Sequence, residues 1–158
     1  VAVLEPAAPD SDGRQGGFDR GVRLASARGG TLPLLLLERD ASLPGQDMTL
    51  AGLQVSVVKP EVAVAMLPDC GCDACDHGSD DLLGAIDEVI GRVVGGPFVV
   101  LQGKQWHAQW YPGGGSSGGA RRGPDHSRMM ELCRRIADGE DVRLPPDAVA
   151  FVGRSWLP

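Results

Sequence analysis

Between residues 22 and 67 the apolar residues fall into four short runs, VRLASA, LPLLLLER, MTLAGLQVSVV and EVAVAML, and Leu53, Val55 and Val57 alternate along the third. Alternation at every second position is the mark of a strand with one covered face. Turn residues punctuate the runs at Arg28-Gly29-Gly30, Pro44-Gly45 and Lys59-Pro60. Four short strands joined by tight turns predict an antiparallel sheet.

The period then changes. Leu82, Leu83, Ile86, Val89, Ile90, Val93 and Val94 recur at three- and four-residue spacing, which lays a broad apolar stripe along a helix of about residues 80–94. Ser79 suits its cap, Asp80 and Asp81 suit the positive end of its dipole, and Gly95-Gly96-Pro97 stops it. Glu88 and Arg92 are spaced as a helical ion pair on the opposite side.

Further on, FVVLQ and KQWHAQWY read as a hairpin turning at Gly103 or as one bulged strand. Trp106, Ala108 and Trp110 share one face, and Gln105, His107 and Gln109 share the other. Residues 112–124, PGGGSSGGARRGP, read as a low-complexity loop. A second helix is predicted from about Asp125 to Ala137, with Met129, Leu132, Cys133 and Ile136 inward, and one last edge strand precedes Trp156. The fold class is α+β: a mostly antiparallel sheet of about five or six strands, one long amphipathic helix (about 80–94) packed on it, and a second, C-terminal helix. Residues 1–20 read as a flexible lead-in and 21–158 as a single domain, the size expected of one core in a chain of 158 residues.

Charge narrows the function classes. The net charge is −6 and the longest basic runs are Arg121-Arg122 and Arg134-Arg135, so a phosphate-binding face for nucleic acid is not expected. The longest wholly leucine run, Leu34 to Leu37, falls far short of the ~20 apolar residues of a spanning helix. The N-terminus has no basic n-region and no sustained apolar stretch, which sets the expected address as the cytoplasm. The chain opens on Val1 instead of methionine, so further residues upstream are expected.

The chemistry concentrates in DCGCDACDHGSDD, residues 69–81, with three of the four cysteines and one of the three histidines. Cys72-Asp73-Ala74-Cys75 is a C-x-x-C, whose two-residue spacer lets a tight turn aim both sulfurs at one metal. A tetrahedral zinc site needs two further ligands, and the candidates are Cys70, His77 and the distant residues His107, His126 and Cys133. A redox dithiol is the rival reading, but it needs a lowered thiol pKa. Asp69, Asp73, Asp76, Asp80 and Asp81 surround the sulfurs, and like charge disfavours a thiolate. The same acids suit a bound cation. A third reading is a metal-free turn in which the cysteines act as small buried hydrophobes.

Elsewhere the motifs are bland. Gly114 to Gly119 is followed by Ala120 and Arg121, so the G-x-x-x-x-G-K-[ST] phosphate loop is not matched. Asp125 and His126 suit a helix cap better than a catalytic dyad, and Cys133 sits on an apolar helical face as core.

Cys70 through Asp76, followed by DLLGAIDEVIGRVVGGPF, resembles an uncharacterised family of small actinobacterial proteins of unknown function. Its hallmark is a Cys-Gly-Cys-Asp-Ala-Cys-Asp string directly before an acidic amphipathic helix. The resemblance covers roughly residues 22–120. It departs at His77, where the family commonly has an acid, and it implies no activity, substrate or cofactor. The expectation is a non-enzymatic cytoplasmic protein with a structural, zinc-binding turn at Cys70, Cys72, Cys75 and His77, acting through a protein partner. The alternative is a thiol redox enzyme or sensor using Cys72 and Cys75.

Overall fold

The computed structural model describes residues 1–6, 17–42, 49–68, 78–119 and 124–158. The chain divides into two compact units, one of Val1–Ala25 with Pro33–Ile90 and one of Ser26–Leu32 with Gly91–Pro158. The fold is α+β, as the periodicities predict. Among the described residues the strands number nine and lie in two antiparallel sheets, where five or six in one sheet are expected from sequence.

The first unit is a five-stranded meander: β1 (Ala2–Leu4), β2 (Arg20–Leu24), β3 (Leu34–Ser42), β4 (Thr49–Val57) and β5 (Ala63–Leu67), in that spatial order. The four runs read from the sequence are β2 to β5. The register sets Leu34 opposite Val57 and Leu36 opposite Val55. Leu34, Leu35 and Leu37 are all buried, so the unbroken leucine run reflects a strand covered on both faces. Leu35 and Leu37 pack with Phe18, and Leu4 lies against them. The lead-in is thus partly built into the fold. Its Pro- and Gly-rich composition hides a three-residue strand, too short to show a period, and one buried aromatic anchor.

The turn from β4 to β5 carries a feature that composition does not announce. Val58 has φ 66, and Lys59 N–H donates to the Val57 carbonyl at 2.7 Å, which closes a γ-turn around a β-branched residue in the left-handed region. Such a conformation costs about 1–3 kcal/mol and persists only where its surroundings hold it. Here the Val58 N–H donates to the Pro33 carbonyl at 2.9 Å. Beneath it the buried Gln54 amide donates to Ser56 Oγ at 2.8 Å and to the Pro60 carbonyl at 2.7 Å, and Ser56 Oγ donates to that carbonyl at 3.0 Å.

Helix α1 (Ser79–Gly95) begins in the first unit and ends in the second. Asp80 and Asp81 occupy its first turn and Arg92 its last, the arrangement its dipole favours. The stripe predicts burial along the whole helix, but only Val93 is buried. The helix stops where the sequence says it must: Gly96 has φ 42, and a Cβ there would lie 2.5 Å from the Ser155 nitrogen.

The second unit is a four-stranded sheet of β6 (Phe98–Gln102), β7 (Trp106–Tyr111), β8 (Gly114–Gly119) and β9 (Val149–Gly153), in the order β8-β7-β6-β9. Helix α2 (His126–Ala137) packs on it. Gly103 N–H donates to the Trp106 carbonyl at 2.9 Å, so the hairpin alternative is the one realised. Val99, Leu101, Ala108, Met129 and Cys133 form the core, with Trp106 and Trp110 against it, as the predicted faces require. On the other face Tyr111 stacks on buried Phe98 at 6.4 Å between ring centroids, and the Arg92 guanidinium lies 4.7 Å over the Tyr111 ring. The expected loop at 112–124 contains a strand instead. Main-chain pairing of β8 with β7 asks nothing of the side chains, and close neighbours exclude them: a Cβ at Gly115 would lie 2.6 Å from the Gln109 carbonyl oxygen, and one at Gly118 would lie 3.0 Å from the His107 ring.

Candidate functional site

Cys70, Cys72, Cys75 and His77 lie outside the described residues. Described residues lie on either side of them. Strand β5 ends at buried Leu67, the Leu67–Pro68 peptide is cis, and on the far side Gly78 has φ 95. The Gly78 carbonyl accepts from the Leu82 N–H at 3.3 Å and so opens α1. The segment therefore joins an edge strand of the first sheet to the acidic N-terminal turn of α1.

The distant donors have other engagements. Cys133 is fully buried in the cluster under α2, and burial pushes its thiol up to about 11, which disfavours the thiolate a metal needs. His107 stands on the exposed face of β7, with its ring against Gly118. His126 opens α2, and its Nδ1 lies 2.8 Å from Ser117 Oγ. Among the described residues no group of three or more His, Cys, Asp or Glu side chains comes together to hold a metal ion.

A family model described as a family of unknown function (DUF6226) matches residues 1–158. The chain belongs to DUF6226. The match takes in the lead-in and the C-terminal tail, beyond the 22–120 covered by the resemblance read from sequence. No curated protein and no solved structure matches the chain. Among its described residues, no helix is long and apolar enough to cross a membrane.

The Ser117–His126 contact in this DUF6226 chain escapes sequence reading. Asp125 and His126 read as a helix cap, and Asp125 is indeed the N-cap: its side chain accepts from the Arg128 N–H at 3.2 Å. Ser117, however, sits in the Gly/Ser tract, whose composition hides both its strand and its direction. It is paired with Ala108 and shares that residue's face, toward α2. The pair ties β8 to the start of α2. A hydroxyl can donate to an imidazole nitrogen or accept from its N–H, so the direction of this hydrogen bond follows the ring tautomer.

Proposed function

We propose that this chain is a non-enzymatic binding protein of the cytoplasm whose Cys70–His77 turn holds a structural zinc ion, and that it acts through a protein partner. The supporting observation is the placement of the cysteines. Three lie within six residues between β5 and α1 with His77 just after them, while the fourth is committed to the α2 core as a protonated thiol. A zinc ion here draws its ligands from the segment itself: Cys70, Cys72, Cys75 and His77. Such an ion would brace the end of a strand against the start of a helix and would offset the repulsion among Asp69, Asp73, Asp76, Asp80 and Asp81.

The rival redox reading draws on α1, whose N-terminus follows Cys75 closely and favours a thiolate, as the acids oppose it. Elemental analysis of protein purified under reducing conditions without a metal-binding tag separates the two. The expected result is about one zinc per chain, lost together with melting temperature in Cys72→Ser. Protein that stays zinc-free when zinc is offered, with one thiol pKa below about 7.5, hands the segment to the redox reading.

A further inference from the structure

The last turn of α1 is fastened at several points. Val93 is 1% exposed, the Arg92 guanidinium covers the Tyr111 ring, and the Val94 carbonyl accepts from the Trp156 N–H at 2.8 Å. The preceding turns are held less firmly. Val93 is the one buried side chain of the helix; Ile86, Val89 and Ile90 are half-buried, and Leu82 and Leu83 are exposed. Two glycines, Gly84 and Gly91, lie inside the helix. A Cβ at either would meet nothing within 4 Å, and neither has a positive φ, so neither packing nor backbone conformation calls for glycine there. Glycine is the poorest helix former after proline, because ordering it costs the most backbone freedom. The chain also passes from the first unit to the second between Ile90 and Gly91. Without its last turn, the helix has no more than the roughly 12–15 residues at which an isolated helix is marginal in water.

We infer that α1 is a helix in two parts: residues 79–90 unwind together, with Gly91 as the break, while the fastened last turn and the four-stranded sheet stay folded. Local opening of this kind belongs to regions with few buried apolar contacts. The glycines favour it from the side of the open chain, since each has more freedom to gain than an alanine in the same place. The device is a releasable strap: Ile86, Val89 and Ile90 leave their half-buried places while the second unit keeps its fold. Fraying of the first turn alone is a smaller event. Gly91 separates the two, because a substitution there alters only an opening that reaches it.

The test is native-state hydrogen exchange of the full chain, read residue by residue by NMR. Amides from Leu83 to Ile90 are expected to exchange at least about tenfold faster than those of Val93, Val94 and the stretch from Met130 to Ala137 in α2. Gly84→Ala and Gly91→Ala are each expected to slow the Leu83 to Ile90 amides about fivefold. Leu101→Val trims the fully buried core beneath α2. It is expected to speed exchange in α2 severalfold and to leave Leu83 to Ile90 unchanged, because the sheet takes no part in the opening. Exchange from Leu83 to Ile90 that rises in step with α2 in Leu101→Val overturns the inference, since the helix then opens only with the sheet. So does Gly91→Ala that leaves those amides unchanged, the mark of fraying confined to the first turns. Melting temperature is followed on each variant, and Met129→Leu replaces Leu101→Val if that variant does not fold.

Discussion

Helix α1 has 17 residues and buries one of them, whereas α2 has 12 and buries two, Met129 and Cys133. The longer helix shows the clearer stripe in sequence, yet the shorter one is the better anchored. The difference lies in what surrounds each stripe. Helix α2 sets Met129 and Cys133 against Val99, Leu101 and Ala108, and both of its ends are finished. Asp125 caps its start, and the Asp138 backbone N–H returns to the Arg134 carbonyl at its end. Helix α1 is finished by charge at its ends and anchored at its last turn, where Val93 is buried and Arg92 covers Tyr111. A hydrophobic period therefore predicts that a helix exists more securely than it predicts how much of that helix is covered.

The largest expected effect tests this contrast directly. Met129→Ala removes a side chain only 4% exposed from the α2 cluster and should cost roughly 2–5 kcal/mol, a large part of the stability of an ordinary domain. Leu83→Ala should change stability by less than about 0.5 kcal/mol, since little of that side chain is buried. Urea denaturation of the two variants measures both. Equal losses would mean that α1 is as much a core helix as α2, and the contrast would be gone.

Next in size is a pH effect confined to α2. Burial holds the Cys133 thiol up at about 11, so between its ordinary value near 9 and about 11 the unfolded chain loses this proton before the folded chain does. The folded state binds more protons over that window, and stability falls as pH rises through it. The contribution is intact below pH 9 and lost by about pH 11, a fall on the order of 1–2 kcal/mol once screening by solvent is allowed for. Cys133→Ala lacks this dependence, so the stability gap between wild type and variant should narrow from pH 8 to pH 11 under reducing conditions. A gap of constant width would mean that the thiol is free to ionise in the folded chain.

The same contrast explains what could be read in advance. Strands β2 to β5 were legible because alternation or unbroken apolar runs survive in a single sequence, and α2 was legible because its cap and its stripe agree. Strand β8 was not, since glycine and serine carry no periodicity and their presence is dictated by neighbours: the Gln109 carbonyl over Gly115 and the His107 ring over Gly118. The Val58 turn was hidden too, because nothing local favours a β-branched residue at positive φ; the Gln54, Ser56 and Pro60 network that supports it is a tertiary fact. Of the candidate ligands, Cys133 is core, as its place on the apolar face of α2 predicts. The contact of Ser117 with His126 depends on strand register and helix placement, which spacing alone does not encode.

The smallest expected effect separates the two ways in which acids begin these helices. Asp125 acts as a cap through its oxygen, which accepts from the Arg128 N–H, whereas Asp80 and Asp81 act through charge in the first turn of α1. Asparagine offers the same acceptor without the charge. Asp125→Asn should therefore be nearly neutral, while Asp125→Ala costs about 1 kcal/mol. In α1 the order inverts: Asp81→Asn alone should cost about 0.3–1 kcal/mol at low salt, and the loss should shrink as salt is raised. Melting curves at two ionic strengths decide it. If Asp125→Asn is as damaging as Asp125→Ala, the start of α2 is held by charge as well, and the two helices differ in burial alone.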